Sequence, residues 1–229
     1  MPANGTTDPR RREPSELGAA QRRAQELAAR SATEKGPARA ATVREIEGIA
    51  QRFPDDPDIT LHLAKGLVNR SAAEADAPRA ATVRQIAAIA KRFPGDPGIA
   101  LELAKGLVNR SVTESGAPRA ATLHEIAAIA KRFPGDPDIA HQFATGLVNR
   151  LIDEADPERA ATLREILGLA NQFPAHPGIA LELANGLYIR ALDETSARRS
   201  NTVREIAAIA KRFPKDNQIA DVLVRFRGA

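Results

Sequence analysis

The sequence predicts an all-α fold, a right-handed α-solenoid of stacked antiparallel helix pairs. Three observations predict this fold class. A 40-residue repeat runs along the chain, apolar residues recur at helical spacing within each copy, and proline and glycine recur between the apolar stripes. Aromatic residues make up only 3% of the chain, and tryptophan is absent. We therefore expect a core of aliphatic side chains on closely packed helices.

The repeat aligns without gaps. Residues 39–78 and 79–118 are identical at 28 of 40 positions, which chance does not produce. The pattern continues from Arg119 and Arg159 and, in shortened form, from Arg199. One helix hairpin cannot bury both of its apolar faces, whereas stacked copies can, so the repeat predicts a solenoid.

Each copy contains two apolar stripes, separated in the second copy by a turn at residues 94–97. The first stripe predicts a shorter helix that ends at Pro94. The second stripe predicts a longer helix that runs to about Ser115. The two stripes consist of Val83, Ile86, Ile89 and Phe93, and of Ile99, Leu103 and Leu107.

Arginine and glutamate recur four residues apart on the longer helices. At this spacing two side chains lie on the same helix face, so we expect surface ion pairs worth a few tenths of a kcal/mol each. The pairs are Arg30/Glu34, Arg70/Glu74, Arg110/Glu114, Arg150/Glu154 and Arg190/Glu194.

These elements predict one solenoid domain over residues 15–229, with about five helix pairs and a C-terminal capping helix. The last helix, around residues 218–227, interrupts its apolar stripe with Asp221 and Arg225, as expected of a cap that faces solvent. Residues 1–14 combine proline, glycine and charged residues, and we expect them to form a flexible basic tail.

The units resemble tetratricopeptide repeats, lengthened from 34 to 40 residues. Residues 103–107 (LAKGL) have the large-small-x-small-large order of that family's first helix. The family's second helix is matched in spacing by Thr122, Leu123, Ile126, Ile129 and Pro134. By this resemblance the longer helix comes first in each unit, and the extra residues lengthen it and its link to the second helix. A HEAT-like array, with a period also near 40 residues, is the alternative fold.

No catalytic, cofactor or metal site is expected. The chain has no cysteine, which excludes disulfides and thiolate chemistry, and it has no phosphate-binding glycine motif. Its carboxylates recur in columns, whereas acid/base catalysis needs one site with distinct environments. The histidines occupy unrelated repeat positions and are interpreted as surface substitutions: His62, His124, His141 and His176.

The chain has neither an apolar run near the length of a membrane span nor the hydrophobic stretch of a signal peptide. We therefore expect a soluble cytoplasmic protein without a membrane partner.

Nucleic-acid binding is an alternative function, because two arginine columns could follow a phosphate backbone. Of the net charge of +4, residues 1–40 contribute +3 (eight basic and five acidic residues), so the array itself is close to neutral. Single-strand binders usually add aromatic platforms, but the recurring phenylalanines are expected in the core. The columns are Arg39, Arg79, Arg119 and Arg159, and Arg44, Arg84, Arg164 and Arg204; the phenylalanines are Phe53, Phe93, Phe133, Phe173 and Phe213.

Protein or peptide binding is the main functional prediction. In tetratricopeptide arrays the first helices line a concave groove, so the resemblance implies a non-catalytic scaffold or adaptor. Lysine and asparagine could bind peptide carbonyls or carboxylates, and leucine and valine could accept apolar side chains. The implied groove residues are Leu61, Lys65, Val68, Asn69, Leu101, Lys105, Val108, Asn109, His141, Thr145, Val148, Asn149, Leu181, Asn185, Tyr188 and Ile189.

Two other interpretations remain open at this point. Leu101 and Val108 could simply complete the packing between repeats while Lys105 is solvated, which would move binding to a convex or edge surface. Nearly identical units could also associate with one another, and we expect a monomer or a small homo-oligomer rather than a filament.

Overall fold

The computed structural model describes residues 14–155 and 157–227, and these residues form eleven α-helices and no strand. The predicted tail lies outside the described residues except for Pro14, which begins the first helix. The helices are α1 (Pro14–Thr33), α2 (Gly36–Arg52), α3 (Pro57–Ser71), α4 (Asp76–Arg92), α5 (Pro97–Ser111), α6 (Gly116–Arg132), α7 (Pro137–Leu151), α8 (Glu158–Gln172), α9 (Pro177–Leu192), α10 (Ser196–Arg212) and α11 (Asn217–Arg227).

Successive helices are antiparallel, because short turns join them. Arg52 at the end of α2 pairs with Glu16 near the start of α1. Arg30 near the end of α1 donates to Thr42 in the first half of α2. We call the odd-numbered helices the first helices and the even-numbered ones the second helices. The predicted all-α fold of stacked helix pairs is confirmed.

The first helices of neighbouring pairs pack directly on one another, as α1 does on α3, α7 on α9 and α9 on α11. In the part of the chain that the structure describes, no comparable packing joins α2 to α4 or α8 to α10. Clefts therefore separate α2 from α4 and α8 from α10.

The chain divides within α5 into two compact units: unit 1 extends to Gly106, and unit 2 begins at Leu107. Each unit has its own aliphatic core. In unit 1 the fully buried side chains include Leu27, Ile59 and Ile86, and in unit 2 they include Leu151 and Ile166. That residues 15–229 form a single domain stays a prediction.

An aspartate immediately precedes four of the first helices and caps their N-terminal ends. The Asp56 carboxylate accepts a hydrogen bond from the backbone N–H of Ile59 at 2.8 Å, which satisfies one of the unpaired donors at a helix start. Asp96, Asp136 and Asp216 repeat this cap. At the start of α9 His176 takes the same position, and its Nδ1 accepts from the N–H of Ile179 at 3.2 Å. His176 is therefore a helix cap rather than a surface substitution.

Replacing His176 with alanine is expected to lower the free energy of unfolding by about 1 kcal/mol, because α9 loses its cap. His176→Asp should retain the stability of the unaltered chain, because it restores the residue found at the other four positions. Chemical denaturation of the three proteins at pH 7 measures the difference. Equal stability of the alanine and aspartate variants would contradict the capping role.

The first helices end earlier than the sequence predicts. Helix α5 ends at Ser111, not near Ser115, so it has 15 residues, whereas α4 and α6 have 17 each. In this copy the prediction of a longer first helix is therefore wrong, whereas α1 and α9, with 20 and 16 residues, are longer than α2 and α8, with 17 and 15. The physical reason is that Arg119, in the next helix, donates from Nε to the Ser111 carbonyl oxygen at 3.1 Å. The Arg119 side chain thus supplies a hydrogen-bond donor to a carbonyl that has none within its own helix, and the chain can turn after Ser111.

The five expected Arg–Glu ion pairs are present, but each glutamate lies beyond the end of its helix. Arg110 and Glu114 both contact the hydroxyl of Thr122, a fully buried residue of α6. Arg110 Nη2 donates to this hydroxyl at 2.7 Å, and the hydroxyl donates to Glu114. We call this arrangement the interhelix triad. It recurs at Thr42, Thr82, Thr162 and Thr202.

Candidate partner-binding site

The first helices of unit 1 line an open cavity of about 390 Å³. It brings together four residues of the predicted groove, Lys65, Val68, Asn69 and Lys105. The residues that complete its lining come from α1, α3 and α5: Gln25, Ala28, Ala29, Ala32, His62 and Glu102.

A buried carboxylate lies in this cavity. Glu102 is only 4% exposed, and its Oε1 lies 2.8 Å from the Lys105 ammonium, which is a charge-assisted hydrogen bond. Lys105 is therefore half-buried, and it is paired with Glu102 within α5. Lys65 and Lys105 carry one positive charge each, Glu102 carries one negative charge, and His62 is neutral. The net charge of the cavity is therefore +1, which favours an anionic ligand group.

His62 is half-buried, and its Nδ1 has no hydrogen-bond partner among the described residues. Burial lowers the pKa of His62 from its ordinary value of 6.5; Lys65 lowers it further, and Asp58 opposes the shift. Because the unfolded chain then takes up the proton more readily, His62 destabilises the fold as the pH falls below about 6.5. The interpretation of His62 as a surface substitution is wrong.

Sequence reasoning missed His62 and Glu102, although the repeat carries a signal for them. Their column continues with Gln142 and Glu182, so it is polar in all four full first helices, between neighbouring positions that are mainly aliphatic. A polar residue retained next to an apolar stripe indicates a group that needs a partner or a ligand.

The asparagine column of the predicted groove also holds the fold together. Asn69 donates from Nδ2 to the hydroxyl of Ser31 at 2.9 Å, and Asn149 donates in the same way to Ser111. These bonds join first helices that are one repeat apart. An asparagine substitution would therefore change packing together with binding, so it is a poor test of the site.

In unit 2 the predicted residues His141, Thr145 and Asn185 surround Glu182, which is 8% exposed. Thr145 Oγ1 donates to the Glu182 carboxylate at 3.0 Å, and Asn185 Nδ2 donates to it at 3.4 Å. His141 Nε2 lies 3.6 Å from the same carboxylate. His141 is half-buried and its ring lies 5.3 Å from that of His176, so it too is not a surface substitution.

The other predicted groove residues serve packing to different degrees. Val108 is buried, as the packing alternative requires. Tyr188 contacts the ring of Phe226 edge-on, with the ring centroids 4.8 Å apart. The remaining ones are half-buried: Leu61, Leu101, Asn109, Val148, Leu181 and Ile189.

One of the two arginine columns is bound within the fold. Arg39 donates to the carbonyl oxygens of Ser31 and Asn69, and Arg119 donates to those of Ser111 and Asn149. Arg79 likewise donates to backbone carbonyls, and Arg159 does so at Glu154. The second column is exposed: Arg44, Arg84, Arg164 and Arg204. The recurring phenylalanines are buried or half-buried, as expected of core residues.

No family model, no curated protein and no solved structure matches this chain. The tetratricopeptide resemblance accordingly rests on the spacing of the repeat residues. None of the helices in the described ranges is long and apolar enough to cross a membrane.

Proposed function

We propose that the chain is a non-catalytic scaffold or adaptor that binds a peptide or a protein segment on the first helices of unit 1. The observation that carries the proposal is the cavity in which Lys65, Lys105 and the buried Glu102 meet. The equivalent positions of unit 2 carry the uncharged Thr145 and Asn185, so first helices pack without the positive charges of Lys65 and Lys105. A cytoplasmic location is part of this proposal.

The ligand that fits this surface is an acidic peptide with aliphatic side chains. Its carboxylates would pair with the two lysines, and Val68 would contact an aliphatic side chain. Nucleic acid is a weaker candidate, because the Arg39/Arg119 column already donates to backbone carbonyls. Self-association has only the similarity of the copies in its favour.

The chain itself offers a conservative test variant, Lys65→Thr with Lys105→Asn. These changes copy Thr145 and Asn185, which donate to Glu182 at the equivalent positions of unit 2. Glu102 therefore keeps its hydrogen-bond donors, and only two positive charges are lost. The matched control is Lys91→Asn with Lys131→Asn, because both of these lysines are exposed on second helices.

A random 12-residue peptide library on phage is selected against the full chain, and the enriched peptide is titrated by fluorescence anisotropy. We expect acidic peptides and a Kd raised about tenfold in the Lys65→Thr, Lys105→Asn variant, equal to one or two lost charge pairs. The control variant should bind within twofold of the unaltered chain. Equal binding by both variants, or selection without enrichment, would contradict the proposal.

A further inference from the structure

A second cavity, distinct from the proposed peptide site, lies in unit 2 between the second helices α8 and α10, over α9. Its volume is about 520 Å³, within the range typical of small-molecule sites. Seven of its ten lining residues are apolar: Ala160, Leu163, Leu167, Leu183, Leu187, Ala208 and Ile209. We call it the α8/α10 cleft.

Leu167 distinguishes this cleft from the equivalent one between α2 and α4. Leucine occurs at this repeat position only here; the other copies have glutamate at position 47 and alanine at 87, 127 and 207. In unit 1 Glu47 lies 3.7 Å from Arg70, so an ion pair lies in the cleft between α2 and α4. Leu167 cannot form such a pair, and its side chain adds apolar surface to the α8/α10 cleft at this position.

The fold does not require a leucine at position 167. The side chain is 45% exposed, and four other copies form the same helix with alanine or glutamate at this position. Together with the seven apolar lining residues, of which it is one, Leu167 makes a contiguous apolar surface, which is the kind of surface that ligand-binding grooves present.

The rim of the cleft carries a cation without an ion pair. Arg190 is engaged by Glu205 at 3.1 Å and by Thr202. Arg164 forms no ion pair within the described ranges, and its Nε donates only to the carbonyl of Ala160 in its own helix. Positions 160 and 168, one turn away on either side, are alanine and glycine, so α8 supplies no carboxylate for Arg164.

We propose that the α8/α10 cleft binds a medium-chain fatty acid, with the alkyl chain against Leu163, Leu167 and Leu187 and the carboxylate at Arg164. Burial of the alkyl chain supplies most of the affinity. The guanidinium supplies a bidentate site for the carboxylate and thereby selects an anionic head group. This site does not depend on the peptide site of unit 1.

The test is a calorimetric titration of the full chain with dodecanoate below its micellar concentration. We expect saturable binding of one molecule, with affinity that falls up to fourfold for each methylene removed in decanoate and octanoate. Leu167→Glu, which copies Glu47, should abolish the binding, and Arg164→Gln should weaken it about tenfold. Both residues are exposed or partly exposed, so the circular dichroism spectra should stay unchanged.

Two controls separate this site from nonspecific detergent binding. Arg204→Gln removes an exposed arginine of α10 that does not line the cleft, and this variant should bind dodecanoate like the unaltered chain. Dodecyltrimethylammonium, with the same alkyl chain and a cationic head, should bind at least tenfold more weakly. Absence of saturable dodecanoate binding would overturn the proposal, as would binding that Leu167→Glu leaves intact. It would equally be overturned if the Leu167→Glu change affected only the binding of a partner protein.

Discussion

Replacing Arg119 with alanine is expected to lower the free energy of unfolding by about 3 kcal/mol. The side chain is almost fully buried; its Nε donates to the carbonyl oxygen of Ser111, and Nη1 donates to that of Asn149 at 2.6 Å. Nη1 also pairs with Asp153 at 2.8 Å. Its removal takes a donor from two backbone carbonyls at the ends of two helices and from the Asp153 carboxylate.

Urea denaturation followed by circular dichroism measures this loss. Arg119→Lys should recover only part of it, because one ammonium cannot replace the planar fork that reaches both helix ends. Arg204→Ala, at an exposed position, should change stability by less than about 0.5 kcal/mol. If Arg119→Ala were as stable as the unaltered chain but lost binding to single-stranded DNA, the arginine column would have to be reassigned to phosphate recognition.

Thr122→Val is expected to cost about 2 kcal/mol, although valine and threonine have nearly the same shape. The change removes the hydroxyl through which Arg110 and Glu114 contact α6, and it leaves two charged groups with one fewer hydrogen-bond partner each. Thr122→Ser keeps the hydroxyl and loses one methyl group, so it should cost about 1 kcal/mol.

The order of these two variants is the informative result, again measured by urea denaturation. If the hydroxyl hydrogen bonds stabilise the fold, Thr122→Ser should lower the free energy of unfolding less than Thr122→Val does. A valine variant at least as stable as the serine variant would show that position 122 needs only volume, and the interhelix triad would then contribute nothing.

The helices could be predicted because their determinants are local. Apolar spacing, the capping aspartates and the prolines act within one or two turns, and the 40-residue repeat displays them in several copies. The number of helices and the limits of α11 therefore follow from sequence. Asp221 and Arg225 are exposed, as expected of the terminal helix.

The helix ends and the roles of the polar columns could not be derived in this way. Arg119 bonds to a carbonyl 30 residues away, and Thr122 of α6 bonds to Arg110 of α5, so both roles depend on how the helices pack. From the sequence alone, the recurring arginines were compatible both with surface ion pairs and with contacts to nucleic-acid phosphates. A residue type that recurs at one repeat position indicates that the position has a role, but only the packing of the helices shows which atoms the residue contacts.

The candidate site was predicted in part. The tetratricopeptide resemblance implied Lys65, Asn69 and Lys105, which do meet in unit 1. It gave no reason to include Glu102, whose burial depends on the packing of the first helices. The α8/α10 cleft was missed because Leu167 differs from its column by a single substitution, whose effect depends on the separation of two helices.

An amide NMR titration of the labelled full chain with the selected acidic peptide tests the central claim most directly, because it reports which residues the peptide contacts. We predict that the largest shifts occur at residues 62–69 and 102–105, together with the facing part of α1. Shifts confined to the second helices α2 and α4, with the amides around Lys65 and Lys105 unchanged, would contradict the assignment of the binding surface.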